Sequence, residues 1–113
     1  MQVDIIVDDQ RMQVTLDSRH LEQAAPLLEK MDRDMDQGWQ FGPRFLGNPD
    51  KLERCQIAAN RILTALHQEN DATVHLMCAY IVSRLPGTDS MVIDTSGEPD
   101  NTRFFSSGAE EEI

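Results

Sequence analysis

Basic residues are scarce in this sequence. Ten lysines and arginines stand against twenty aspartates and glutamates, so the chain carries a formal net charge of −10. Such an excess of negative charge repels phosphate backbones and anionic lipid headgroups, which argues against direct binding of nucleic acid or of a membrane. A protein partner, and a basic one in particular, is compatible with it.

Long apolar runs and a basic leader segment are also missing. The chain opens with the acidic stretch MQVDIIVDD, whereas a secretory leader needs a basic start, and no run approaches the length of a membrane span. There are two cysteines, Cys55 and Cys78, and both fall within helical patterns. These features predict a cytoplasmic protein whose thiols stay reduced.

The short motifs of common catalytic sites do not occur either. The sequence contains no GxSxG nucleophile turn, no phosphate-binding glycine loop and no HExxH zinc motif. We therefore expect no catalytic residue, no cofactor and no enzymatic activity.

Two stretches near the N-terminus alternate apolar and polar residues, which is the period of a strand with one buried face. A short polar segment separates them, and this arrangement predicts a β-hairpin. The apolar members of the two strands are Val3, Ile5 and Val7, then Met12, Val14 and Leu16.

A helical pattern follows from about Ser18 to Met35, with Pro26 inside it. Proline removes a backbone donor and disfavours a helix interior. The preferred prediction is therefore a helix that begins nearer Ala25, and the longer helix from Ser18 is the alternative.

Two further helices are predicted in the second half of the chain. Asn48 and Pro49 resemble a helix N-cap followed by proline at the first helical position. The third helix, ATVHLMCAYIVSRL, is apolar nearly all round, as in a buried helix, and Pro86-Gly87 ends it. The intervening GWQFGPRFLGNP is predicted to be a loop because it is rich in glycine and proline.

The short apolar stretch SMVID at 90–94 predicts a last strand, so the element order is β-β-α-α-α-β. This order favours an α+β fold in which the hairpin and the C-terminal strand form a small antiparallel sheet packed against three helices. We expect one domain over 1–95. The polar, acidic segment 96–113 is predicted to be a flexible tail, although Phe104 and Phe105 could dock on the domain.

Three aspartates at alternate positions, Asp32, Asp34 and Asp36, raise two alternatives. A calcium loop of the EF-hand type needs glycine at its sixth position, whereas Gly38 comes one place late and the bidentate glutamate is missing. The end of the first helix explains the pattern better. Carboxylates there oppose the helix dipole, which hints at a surface for a basic group.

The segment after these aspartates holds three of the six aromatic residues of the chain. Their side chains either close the core as a lid or anchor a partner. We predict a protein-protein interaction module or adaptor, or a homodimer; the alternative is a small-ligand or metal-binding protein that uses residues 32–45. The predicted partner contacts are Asp32, Asp36, Trp39, Phe41, Arg44 and Phe45.

Overall fold

The computed structural model describes residues 1–106 and 111–112. These residues form three helices: α1 (Ser18–Asp36), α2 (Lys51–His67) and α3 (Asp71–Arg84). The strands are β1 (Gln2–Val7), β2 (Gln10–Thr15), β3 (Trp39–Phe41), β4 (Arg44–Leu46), β5 (Ser90–Ile93), β6 (Arg103–Ser106) and β7 (Glu111–Glu112). A 3₁₀ turn over Pro99–Asn101 lies between β5 and β6.

The main sheet has the strand order β2-β1-β5-β6, extended at one edge by the two-residue β7. The α+β class and the order β-β-α-α-α-β are confirmed. The sheet is mixed rather than antiparallel throughout, because β5 runs parallel to β1. A long helical connection between β2 and β5 permits this direction, and the residue pattern of a strand carries no information about its direction.

The core lies between one face of the sheet and the helices. Val3 and Ile5 of β1 and Met91 of β5 point toward the helices and are fully buried. The deepest helix is α3, in which every residue from Met77 to Val82 is buried, as its all-round apolar pattern predicts. Cross-strand partners share a face, so the alternate residues of each strand point away from the helices.

Helix α1 takes the longer of the two predicted forms. It begins at Ser18, and the side chain of Asp17 accepts a hydrogen bond from the His20 amide at 2.8 Å. The start predicted near Ala25 is wrong. Proline in a helix interior costs about 3 kcal/mol, but Pro26 lies on the exposed side, where water can bond the carbonyl left without a partner.

The segment predicted to be a loop is a small hairpin in which β3 pairs with β4. Its turn contains Gly42 at φ +57°, a conformation that favours glycine. A Cβ atom at this position would lie 2.9 Å from Cδ of Pro99, so the turn packs closely on the 3₁₀ turn. Three-residue strands are too short for their alternation to stand out from a glycine- and proline-rich sequence.

The predicted flexible tail contributes a strand to the sheet. Residues of β6 pair with β5, so that Phe104 lies opposite Met91, and the Phe104 side chain is only 1% exposed. The domain therefore extends past the predicted boundary at residue 95, because one aromatic side chain and a row of backbone hydrogen bonds hold this segment. Residues 107–110 and 113 of the predicted tail lie outside the described residues.

Replacement of Phe104 by alanine should destabilise the fold. The change removes a fully buried ring from the core, which typically costs about 3–5 kcal/mol. Phe105→Ala is the matched control, since its side chain is half-buried and points away from the helices. Urea unfolding of both variants measures the difference. If both variants lose little stability and lose it equally, the C-terminal segment does not contribute to the core.

Candidate functional site

The carboxylate of Asp32, near the end of α1, accepts hydrogen bonds from three different side chains. It accepts hydrogen bonds from the Tyr80 hydroxyl at 2.5 Å and from Arg84 Nη2 and Nε at 2.6 and 3.1 Å. Arg54 Nη1 lies 3.4 Å away on the other side. One carboxylate of α1 therefore contacts side chains from both α2 and α3.

Arg54, near the start of α2, uses all five of its N–H donors. Nε donates to the Pro49 carbonyl at 2.8 Å, and Nη1 donates to the carbonyl and carboxylate of Asp32. Nη2 donates to Asp36 at 2.6 Å and to Asn48 at 3.0 Å. The side chain is 14% exposed. Its donors are saturated within the chain, so Arg54 acts as a structural tie between α1, α2 and the segment before α2.

Arg84 completes the cluster from the end of α3. Its guanidinium carbon lies 4.9 Å from the centroid of the Tyr80 ring, within cation–π range. Its Nη1 also donates to the Ser83 hydroxyl at 2.9 Å. We call Asp32, Arg54, Tyr80 and Arg84 the Asp32 cluster.

The cluster keeps its charges at neutral pH. Burial raises the pKa of Asp32, but hydrogen bonds from Tyr80, Arg84 and Arg54 outweigh this effect and bring it below its ordinary value. Burial lowers the pKa of Arg54, and the contacts with Asp36 and Asp32 reverse that change. The pKa of Tyr80 is raised by burial and by the adjacent carboxylate, so its hydroxyl stays protonated and donates.

These contacts explain the acidic end of α1. The sequence suggested that aspartates there serve a basic group, and the structure supplies two such groups from the same chain, Arg54 and Arg84. Asp34 points elsewhere and pairs with Lys30 at 2.9 Å. The two predicted partner contacts Asp32 and Asp36 thus already accept intramolecular hydrogen bonds, although Asp36 remains mostly exposed.

A cleft of about 500 Å³ opens beside the cluster. It is lined by Asp32, Asp36, Asn48, Pro49, Lys51, Arg54, Tyr80 and Arg84. Within 1–106 and 111–112, no group of three or more histidine, cysteine or acidic side chains could hold a metal ion. Its lining includes the carboxylates of Asp32 and Asp36 beside lysine and arginine side chains, so the cleft contains both signs of charge.

Neither cysteine has the properties of a reactive or metal-binding thiol. Cys55 and Cys78 are free and fully buried, and burial raises the pKa of each to about 12. A protonated, inaccessible thiol is a poor nucleophile and a poor metal ligand. Both side chains serve as small core residues.

The aromatic side chains of the β3–β4 hairpin divide between its two faces. Trp39 and Phe41 point inward: Trp39 packs against the core and Phe41 is 2% exposed. Arg44, opposite Phe41, lies 5.5 Å from its ring centroid and 3.5 Å from the Asp100 carboxylate. Phe45 points outward and is 65% exposed. The lid interpretation therefore fits Trp39 and Phe41, and the anchor interpretation fits Phe45.

Sequence reasoning missed Arg54, Tyr80 and Arg84 as members of one cluster. The available signal was in α3, where Tyr80 and Arg84 are four residues apart and form a polar pair on one side of an otherwise apolar helix. Arg54 gave no such signal, since its partners on α1 are 18 and 22 positions away and only the packing of the helices brings them together.

Comparison with protein-family models, with curated proteins and with solved structures finds no match for this chain. Among the residues that the structure describes, no helix combines the length and apolar character needed to cross a membrane.

Asp32→Asn should destabilise the protein by about 2–3 kcal/mol at pH 7, because it removes the charge that two arginines and a tyrosine share. The pKa of Asp32 is lower in the folded chain than its ordinary value of 3.8. The stabilisation is therefore full above about pH 4 and is lost as the pH falls through the lower, folded value.

Urea unfolding at pH 7 and at acidic pH measures the difference in free energy of unfolding between wild type and Asp32→Asn. Asp34→Asn is the matched control, since it removes an exposed carboxylate from the same helix and should cost at most about 0.5 kcal/mol. If this free-energy difference does not become smaller in acid, the Asp32 charge does not stabilise the fold.

Proposed function

We propose that this protein is a protein-protein interaction module, an adaptor whose main anchor is Phe45. The observation that carries this proposal is the 65% exposure of a phenylalanine ring, the largest exposure among the big apolar side chains described. Aromatic side chains at the centre of an interface contribute much of its binding energy.

The hairpin holds Phe45 in a fixed position. Phe41 is anchored in the core, the Gly42 turn packs on Pro99, and Arg44 pairs with Asp100. A Cβ atom at Gly38 would lie 2.5 Å from Cζ of Phe45, so the ring rests against the backbone there. An anchor that is already ordered loses less conformational entropy on binding.

Acidic side chains flank the hairpin on two sides. Asp34 shares a small cavity with Trp39, and Asp100 pairs with Arg44 near the turn; both carboxylates are more than half exposed. Together with the net charge of −10, they favour a partner that offers an apolar pocket bordered by lysine or arginine. Such contacts speed association and weaken as salt is added.

The alternative, binding of a small ligand or metal ion by residues 32–45, has less support. The carboxylates of Asp32 and Asp36 accept hydrogen bonds from arginines, which would have to leave before a cation could bind. Trp39 and Phe41 are directed into the core and do not line the cleft beside the Asp32 cluster.

Phe45→Ala should leave the melting temperature within a few degrees of wild type, because the ring is mostly exposed, and should weaken partner binding at least tenfold. Gln40→Ala is the matched control: Gln40 pairs with Phe45 and shares its outward face, but it provides no apolar anchor. Proteins retained by immobilised wild type and by the control, but lost with Phe45→Ala, are then purified and their affinities measured by calorimetry.

The proposal fails if partners bind Phe45→Ala as tightly as wild type. It also fails if Phe45→Ala unfolds the protein, because the ring would then be a structural side chain.

A further inference from the structure

Among the described residues, the two edges of the main sheet differ in length. One edge is β7 with two residues, and the other is β2 with six, Gln10–Thr15. Natural sheets protect long edges with lysine, proline, bulges or covering segments, because an open edge pairs readily with another strand. β2 contains neither lysine nor proline, and each of its six residues has a regular partner in β1.

The hydrogen bonds at the start of the hairpin show which backbone groups of β2 point outward. Met1 and Leu16 exchange two hydrogen bonds, N to O, at 2.6 and 2.8 Å. In an antiparallel ladder such pairs alternate with pairs that exchange none. The backbone groups of Gln10, Met12 and Val14 therefore point toward β1, as those of Leu16 do. Those of Arg11, Gln13 and Thr15 point away from it.

All three outward-pointing residues are exposed. Among the described residues, none of their backbone N–H groups has a hydrogen bond to another part of the chain. The edge therefore offers three donors and three acceptors in line, at the spacing of a strand.

We propose that this edge binds the β2 edge of a second copy of the chain, forming a two-fold symmetric dimer with a continuous sheet. In the register that uses every outward group, Gln13 lies opposite Gln13 of the second copy, and Arg11 lies opposite its Thr15. By symmetry Thr15 lies opposite Arg11 of the second copy, and each of the three pairs exchanges two hydrogen bonds, about six in all. Met12 then lies opposite Val14 of the second copy on the helix-packed face.

Several features favour a second copy as the occupant. The register is self-complementary, because the dyad at Gln13 brings the outward N–H and C=O groups of Arg11 opposite those of Thr15. Met12 is half-buried against the core, so its contact with Val14 of the second copy extends the apolar layer across the dyad. The segment 10–15 contains no acid in a chain of net charge −10, and its one charged side chain, Arg11, pairs with Asp4 at 3.5 Å.

The nearest like charges across the proposed interface lie beyond the ends of the strands. The same register brings Asp9 toward Asp17 of the second copy, and both residues are exposed. Added salt screens this repulsion and should strengthen the dimer. Contacts between the acidic surface near Phe45 and a basic partner should respond in the opposite way. The opposite salt responses distinguish the dimer contact from the proposed Phe45 surface. The two proposals concern different residues, and either can fail alone.

Sedimentation equilibrium of the full chain over a wide concentration range tests the proposal. Wild type should approach twice the 12.8 kDa of one chain, and added salt should lower the dimer dissociation constant. Gln13→Pro removes the N–H at the dyad without taking a hydrogen bond from β1, and should give a folded monomer. Gln13→Ala keeps the N–H and should remain dimeric.

Cysteine scanning checks the register even where the proline variant fails to fold. Gln13→Cys should form a disulfide-linked dimer on mild oxidation, because Cα atoms of a hydrogen-bonded pair lie about 5.5 Å apart, within disulfide range. Arg11→Cys, opposite Thr15, should not. Wild type that stays monomeric, a dimer unaffected by Gln13→Pro, or equal cross-linking at both positions would overturn the proposal.

Discussion

A partly buried negative charge has to be matched by partners, and in this fold that requirement centres on Asp32. Its carboxylate is 31% exposed and receives hydrogen bonds from Tyr80, Arg84 and Arg54. Because these donors come from α2 and α3 while the acceptor is on α1, the pairing fixes how the three helices meet. Removing one partner of such a group leaves the others desolvated and unmatched, which costs more than an exposed ion pair contributes.

The proposed interaction surface depends on the same contacts. The β3–β4 hairpin begins at Trp39, three residues after α1 ends at Asp36, and Arg54 bonds both Asp36 and Asn48 on the two sides of the hairpin. The position of the hairpin is thereby tied to the start of α2. A hairpin held in this way keeps the exposed Phe45 ring ordered before a partner binds, so binding costs less conformational entropy.

The sequence predicted the elements whose apolar period is long and regular. These are β1, β2 and the three helices, where each buried face repeats several times. It also predicted β5, which is too short to show a period, from its apolar and β-branched residues. It did not predict β3 and β4, which are too short to show a period, or β6, in which one residue, Phe104, is buried in the core. The direction of β5 depends on the route of the chain through the helices, and a residue pattern does not encode that route.

The candidate site was only partly accessible from sequence for a related reason. The segment 32–45 was identified from its local concentration of aspartates and aromatics. The arginines that bind those aspartates lie 18 to 52 positions away along the chain, and only tertiary packing brings them close. Which aromatic side chain faces outward is decided by hairpin pairing that was not predicted, so Trp39, Phe41 and Phe45 could not be separated.

The most direct test of the structural role of Asp32 is a double-mutant cycle between Asp32→Asn and Arg84→Gln, with the free energy of unfolding measured in urea at neutral pH. We expect a coupling energy of about 2 kcal/mol, since the pair is charge-assisted and partly buried. The exposed pair Lys30 and Asp34, treated in the same way, should give about 0.3–0.5 kcal/mol. A coupling between Asp32 and Arg84 as small as that of the exposed pair would contradict the role assigned to Asp32.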